Sequence, residues 1–362
     1  MLNFNKQKAA LYHHSYKTRW WLMSLPYILG CSRSELTKDE KIFFNDTQPF
    51  GFILFQRNCV SKTQVQELVY NLRESVNHFA PIFIDQEGGR VQRLKEPVWR
   101  QAPTSASFGK IFEVNEELAT QLVFQNARLI AEELQVLGID VNCAPVLDLL
   151  ESNASDIIGD RAFSSNPYTT SALARSFVKG LENGGVAPVV KHIPGHGRAE
   201  VDSHLALPKI DTELTELKKR DFIPFVRLND SAAAMTGHLL LDKIDSRKPV
   251  TISSHVIDSV IRKYIGFQGL LISDDISMAA LTGDLSLITK KVFEAGCDIV
   301  LHCNGKLDEM KKIIDKNQEF GMASKGRANK FLIKLTDLKK QRKAIDYRTV
   351  LNSFNQSFGE SR

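Results

Sequence analysis

Eight short, mostly apolar stretches recur along the chain, and longer amphipathic segments separate them. They are 27–31 (YILGC), 51–55 (GFILF), 81–85 (PIFID), 139–145 (IDVNCAP), 187–192 (APVVKH), 232–238 (AAAMTGH), 269–274 (GLLISD) and 298–302 (DIVLH). Continuous apolar runs suit strands buried on both faces of a parallel sheet, whereas alternating runs suit strands with one wet face. Between them, Val65, Leu68, Val69 and Leu72 repeat at helical spacing, and 118–137, 171–182 and 255–264 do the same. Strand alternating with helix eight times predicts a closed (β/α)8 barrel of the TIM type rather than an open sheet. Beyond Asn304 the chain continues as helical material, 307–317 and 326–340, too short and basic for a core of its own. One domain over 23–362 is expected.

Bulk properties narrow the function classes. Of the 362 residues, 43% are hydrophobic and 25% charged, a balance that fits a soluble globular enzyme and not a disordered chain. The net charge of +5 owes much to Lys311, Lys312, Lys316, Lys325, Arg327, Lys339, Lys340, Arg342 and Lys343. No nucleic-acid-binding motif accompanies them, so they read as solvated faces of closing helices and no nucleic-acid partner is expected. Cys31, Cys59, Cys143, Cys297 and Cys303 are odd in number and widely spaced. They predict neither a zinc site nor a disulfide framework, and fit reduced thiols in the cytoplasm.

Near the N-terminus, His13, His14, Lys17 and Arg19 precede an apolar run over 20–31. A spanning helix needs roughly 20 residues, and this run is shorter. Residues 28–31 (ILGC) imitate a lipoprotein cleavage site, but Pro26 interrupts the run and 27–30 is needed as the first strand. Residues 1–22 therefore read as a dispensable extension, with Met23 a candidate start and no membrane partner.

Barrel sites collect where the strands end and their loops converge. Here Asp85, Lys191 with His192, His238, Asp274 with Asp275, and His302 all close apolar runs. Solvent contact alone explains some polar residues there, but not so many titratable ones. Residues 191–208 (KHIPGHGRAEVDSHLALP) hold three histidines, two glycines and two prolines. Gly195 and Gly197 predict hinge freedom for a lid. Asp202 and His204 lie two apart, so in an extended segment they share a side, and the carboxylate can orient the imidazole and favour its protonated form. The plainer alternative is a turn with His204 exposed. A metal cage of His192, His196 and His204 would need a helix that Pro194 and the glycines oppose, so no metal or cofactor is expected.

In 271–278 (LISDDISM) a strand runs into paired aspartates, giving a carboxylate nucleophile rigid support. Alternation lets only one face the mouth, and spacing does not choose between Asp274 and Asp275. In 84–94 (IDQEGGRVQRL), Asp85 is followed by Glu87, Arg90 and Arg93, groups suited to gripping neighbouring hydroxyls. Arg161, in GDR, is placed to reach the same mouth.

Together these three blocks resemble the bacterial β-N-acetylglucosaminidases of glycoside hydrolase family 3, with CAPVLDL, GDRAF and MTGH in support, over about residues 25–305. The resemblance implies that Asp274, the first aspartate of SDD, is the nucleophile. It implies that His204 is the acid/base, tuned by Asp202, and that Asp85, Arg93, Arg161, Lys191 and His192 bind the N-acetylglucosamine ring. It further implies a cytoplasmic enzyme, expected monomeric, that acts on muropeptide fragments carrying N-acetylglucosamine on anhydro-N-acetylmuramic acid. Ile193 stands where the family's loop has Phe. A phosphorylase, a non-catalytic muropeptide-binding protein and catalysis by the substrate's own acetamido group are the alternatives.

Overall fold

A computed structural model describes residues 24–151, 156–203 and 205–361. The extension 1–22 and Met23 lie outside the described residues. Eight parallel strands close a barrel: β1 (Leu25–Gly30), β2 (Pro49–Leu54), β3 (Ile82–Ile84), β4 (Val141–Asn142), β5 (Ala187–Ile193), β6 (Ala233–Thr236), β7 (Leu270–Asp275) and β8 (Ile299–His302). Each pairs with its neighbours in sequence, and β1 returns to β8 through Tyr27 opposite Val300 and Leu29 opposite His302. All eight apolar runs of the sequence are barrel strands. Every residue of β2 is buried, as the absence of alternation required.

The helical spacings also hold. Val65, Leu68, Val69 and Leu72 are the buried face of helix Lys62–Glu74, which Ser61 caps by accepting from the Gln64 N–H. Helix Glu116–Leu137 opens on an Asn115 cap and ends at Gly138, whose φ of 78° needs no side chain in the way.

The strand starts are closed off by helix Met322–Gln341. Phe331 and Phe320 pack on Phe50, and Phe331 stacks on Phe83 at 6.3 Å. Its charges are not merely solvated. Arg327 makes a fork of 2.8 and 2.6 Å to Asp298, and Lys339 pairs with Asp140; both carboxylates are buried. Lys334 reaches Glu182 at 2.9 Å. Two cations of the basic tail thus neutralise buried acids just before β4 and β8. No helix among the described residues is long and apolar enough to cross a membrane.

Candidate active site

At the other end of the barrel the strand termini surround a cavity of about 480 Å3, within the range of small-molecule sites. Asp85, Arg93, Arg161, Lys191, His192, Asp202 and Asp274 all line it. The sequence-predicted residues, His204 excepted, are therefore brought together; His204 lies outside the described residues.

A charge network forms one wall. Lys191, near the end of β5, donates to Asp85 at 2.8 Å and to Glu87 at 2.6 Å. Arg93 donates to the other Asp85 oxygen at 2.9 Å, and Arg161 forks onto Glu87 at 2.9 and 2.8 Å. Burial works against charge on Asp85, but Lys191 and Arg93 hold its carboxyl well below the usual range. Glu87 is similarly buried, yet Arg161 and Lys191 hold it down at about 2. Burial likewise opposes the Lys191 charge, and the two carboxylates more than offset it. Every member stays ionised near neutrality, in a fixed array of donors and acceptors. Glu87 is as much a part of it as Asp85; its place two residues after a strand-end aspartate was the available signal. Hairpin Gln86–Gly88/Val91–Gln92 sets the spacing, and its turn residue Arg90 fastens it to Asp160 at 3.0 Å.

Asp148 is the residue that sequence reasoning passed over. It is buried, and His192 Nδ1–H donates to it at 2.6 Å, as does the His196 backbone N–H at 2.6 Å. Burial opposes its charge, but His192 and the His196 amide keep its carboxyl below the ordinary value. The contact fixes the His192 ring and leaves Nε2 as its remaining polar atom. The visible sign was a lone carboxylate in CAPVLDL at the mouth of the fourth strand.

Alternation fails at the two aspartates, and the register says why. Ile272 pairs with Ile299 but Asp275 with Leu301, so β7 carries one residue more than β8 across that stretch. Such a bulge re-aims side chains, and both Asp274 and Asp275 line the cavity. A second bulge on β5, between Lys191 and Ile193, does the same for Lys191 and His192. The two aspartates are not equivalent. Asp275 accepts from Ser277 N–H at 3.0 Å, Ser277 O–H at 2.8 Å and Cys303 N–H at 3.2 Å, which ties it to the following turn. Asp274 accepts from the Asp275 N–H at 2.8 Å through Oδ1, and Oδ2 has no hydrogen-bond partner among the described residues. Burial raises its pKa, but His238, His192, the Asp275 N–H and Lys191 together bring it below the ordinary value. His238 steadies the same peptide. Its Nε2–H donates to the Asp275 carbonyl at 3.0 Å, so Nδ1 accepts from the Thr251 hydroxyl at 2.7 Å, and burial keeps the ring uncharged.

The segment after β5 is packed at its glycines and turns at Asp202. Gly195 and Gly197 are buried and packed. Gly195 sits at φ 138°, and a Cβ on Gly197 would run into the Leu149 carbonyl oxygen. In this conformation Gly195 meets the need for a positive φ and Gly197 the need for close approach. The Asp202 carbonyl accepts from Leu205 N–H at 2.9 Å and Ala206 N–H at 3.0 Å, so the backbone turns there and is not extended. Asp202 still reaches the cavity, because the buried Ser203 accepts from the Ala280 N–H at 3.1 Å and is docked on the loop beyond β7.

A barrel mouth with an ionised strand-end carboxylate beside a charged hydrogen-bonding wall suits an enzyme that cleaves glycosides. Comparison with known proteins gives the same class. Residues 28–329 match the model of the glycosyl hydrolase family 3 N terminal domain. A β-hexosaminidase of Idiomarina loihiensis is 36% identical over 282 residues, 77% of this chain and 84% of its own length. That of Methylococcus capsulatus is 40% identical over 273 residues, 74% and 80% respectively. Among solved structures, NagZ of Neisseria gonorrhoeae in complex with N-trifluoroacetyl-D-glucosamine superposes with a TM-score of 0.80 at 30% identity, over 94% of this chain and 97% of that one. The chain belongs to glycosyl hydrolase family 3 and is a glycoside hydrolase, a β-hexosaminidase.

Proposed function

We propose that the chain is a retaining exo-β-N-acetylglucosaminidase that releases terminal N-acetylglucosamine from cytoplasmic muropeptide fragments, with Asp274 as nucleophile. The observation that carries this is the asymmetry of the two aspartates: Asp275 is consumed by its turn, while Asp274 is ionised, lines the cavity and has one oxygen without a hydrogen-bond partner among the described residues. Asp85, Arg93, Arg161, Lys191 and His192 hold the sugar ring through its hydroxyls. Asp274 attacks the anomeric carbon, and His204, tuned by Asp202, gives its proton to the leaving oxygen. The glycosyl–aspartate ester is then opened by water that His204 deprotonates, which restores the original configuration. The likeness to a solved enzyme holding an N-acylated glucosamine supports an N-acetylglucosamine substrate.

The test is incubation of the protein with an aryl β-N-acetylglucosaminide and with an N-acetylglucosaminyl anhydro-muropeptide, each with and without inorganic phosphate. Free N-acetylglucosamine from both, at a rate indifferent to phosphate, is the expected result. A sugar 1-phosphate would make the chain a phosphorylase, and binding without turnover would make it a muropeptide-binding protein.

A further inference from the structure

Backbone pairing between β6 and β7 stops short of the aspartates, with Met235 opposite Ile272 as the last partners. Three residues beyond each of these, a side chain takes over the ladder: His238 Nε2–H donates to the Asp275 carbonyl at 3.0 Å. The N–H of the same peptide unit, that of Ile276, donates to the Leu301 carbonyl on β8 at 3.1 Å. The peptide that follows Asp275 is thus held from both neighbouring strands, just where the bulge on β7 interrupts regular pairing.

The histidine is itself held by two hydroxyls. A carbonyl can only accept, so the ring proton is on Nε2, and Nδ1 accepts from Thr251 at 2.7 Å. With its proton given to Nδ1, the Thr251 hydroxyl accepts from Thr236 at 2.8 Å. The Gly237 carbonyl, 3.4 Å from Thr251 Oγ1, is the poorer acceptor for that proton. Thr236, Thr251 and His238 are all fully buried, so no water competes for these bonds from outside. Donation runs one way, from Thr236 to Thr251 to His238 to the Asp275 carbonyl, and bonds in such a buried series strengthen one another. On its other side, Asp275 gives its N–H to Asp274 Oδ1 at 2.8 Å. Thr251 stands at the start of this support from outside the barrel strands, on the short turn Val250–Ile252.

We propose that Thr251 is a positioning residue for the nucleophile: through His238 it fixes the backbone of Asp275, whose N–H orients the Asp274 carboxylate. The proposal rests on the reading of Asp274 as nucleophile and adds to it a buried residue that acts without touching the sugar.

The test compares Thr251→Val, which keeps the shape and loses the hydroxyl, with Thr251→Ser, which keeps the hydroxyl and loses the methyl group. The substrate is an aryl β-N-acetylglucosaminide with a good leaving group, for which kcat/KM reports the attack by Asp274 without acid help. In Thr251→Val, kcat/KM should fall about tenfold or more, because a reacting group slightly out of place is costly, while the Ki of N-acetylglucosamine stays within about threefold. Thr251→Ser should keep most of the wild-type rate. A residue needed only for packing would give the reverse ranking. Should Thr251→Val not fold, the ring 15N shifts of His238 in the wild-type protein decide the matter: they should show a protonated Nε2 and a bare Nδ1 across the pH range of activity. An unchanged kcat/KM in Thr251→Val, a weakening of N-acetylglucosamine in step with the rate, a larger loss in Thr251→Ser, or the opposite or charged form of the ring would overturn the role of Thr251. A wild-type enzyme that forms no sugar ester on Asp274 would instead bring down the nucleophile reading itself, and this assignment with it.

Discussion

At the scale of single residues, the site is organised by which carboxylates are already spoken for. Asp274→Ala should abolish turnover of every β-N-acetylglucosaminide while the far-UV spectrum and melting temperature stay close to wild type, because the hydrogen bond that its carboxylate accepts among the described residues is local, from the neighbouring Asp275 N–H. His204→Ala should keep the first step on aryl glycosides with good leaving groups, which need no protonation, and lose it on the muropeptide; a burst experiment separates the two. Glu87 behaves otherwise. Removing it strands the buried Arg161 and leaves Lys191 with Asp85 alone, so Glu87→Ala should cost about 3–5 kcal/mol in denaturant unfolding. The pH dependence follows from the same contact. Its folded pKa, about 2, lies below the ordinary 4.5, so its contribution is complete above about pH 4.5 and is lost as pH falls toward 2. Melting temperature should drop across that window, and Glu87→Gln should flatten the drop. The end of an apolar run could point to Asp85 and to the pair Asp274 and Asp275, and it took the family resemblance to choose Asp274. It could not name Asp148, whose carboxylate points at a histidine that is distant in sequence and near only once β4 and β5 pair.

At the scale of elements, periodicity carries the strands and helices, and register carries the chemistry. The apolar runs predict all eight strands because burial on both faces leaves no room for polar residues inside them. The helix expected over 307–317 is shorter, Leu307–Ile313, and Asp315 instead caps a turn by accepting from Asn317 N–H. Bulges leave no mark in a pattern of apolar residues, so strict alternation separated Asp274 from Asp275 and would separate Lys191 from His192. In the sequence a glycine needed for close approach, such as Gly197, looks like one needed for motion. Gly197→Ala should therefore destabilise the protein by about 1–3 kcal/mol, through the clash with the Leu149 carbonyl, as read from its unfolding midpoint. If Gly197 served as a hinge instead, the substitution would slow turnover and leave stability unchanged.

At the scale of the whole molecule, we infer that the barrel and its C-terminal helices form one folding unit, since helix Met322–Gln341 supplies the aromatic floor and the cations for Asp298 and Asp140. Phe331→Ala, which empties the space beneath Phe50 and Phe83, should cost about 3–5 kcal/mol and unfold the barrel and helices in one transition. Two separate transitions would contradict a single unit. A chain that begins at Met23 should keep both stability and activity, because the first barrel strand starts at Leu25; loss of either would give residues 1–22 a role.

Incubation with a fluorinated 2-acetamido glycosyl donor that slows release of the intermediate, followed by peptide mass spectrometry, should find one sugar ester on the peptide carrying Asp274. The Asp274→Ala protein should carry none. An adduct on another residue, or no adduct from an enzyme that turns the donor over, would contradict a nucleophilic Asp274.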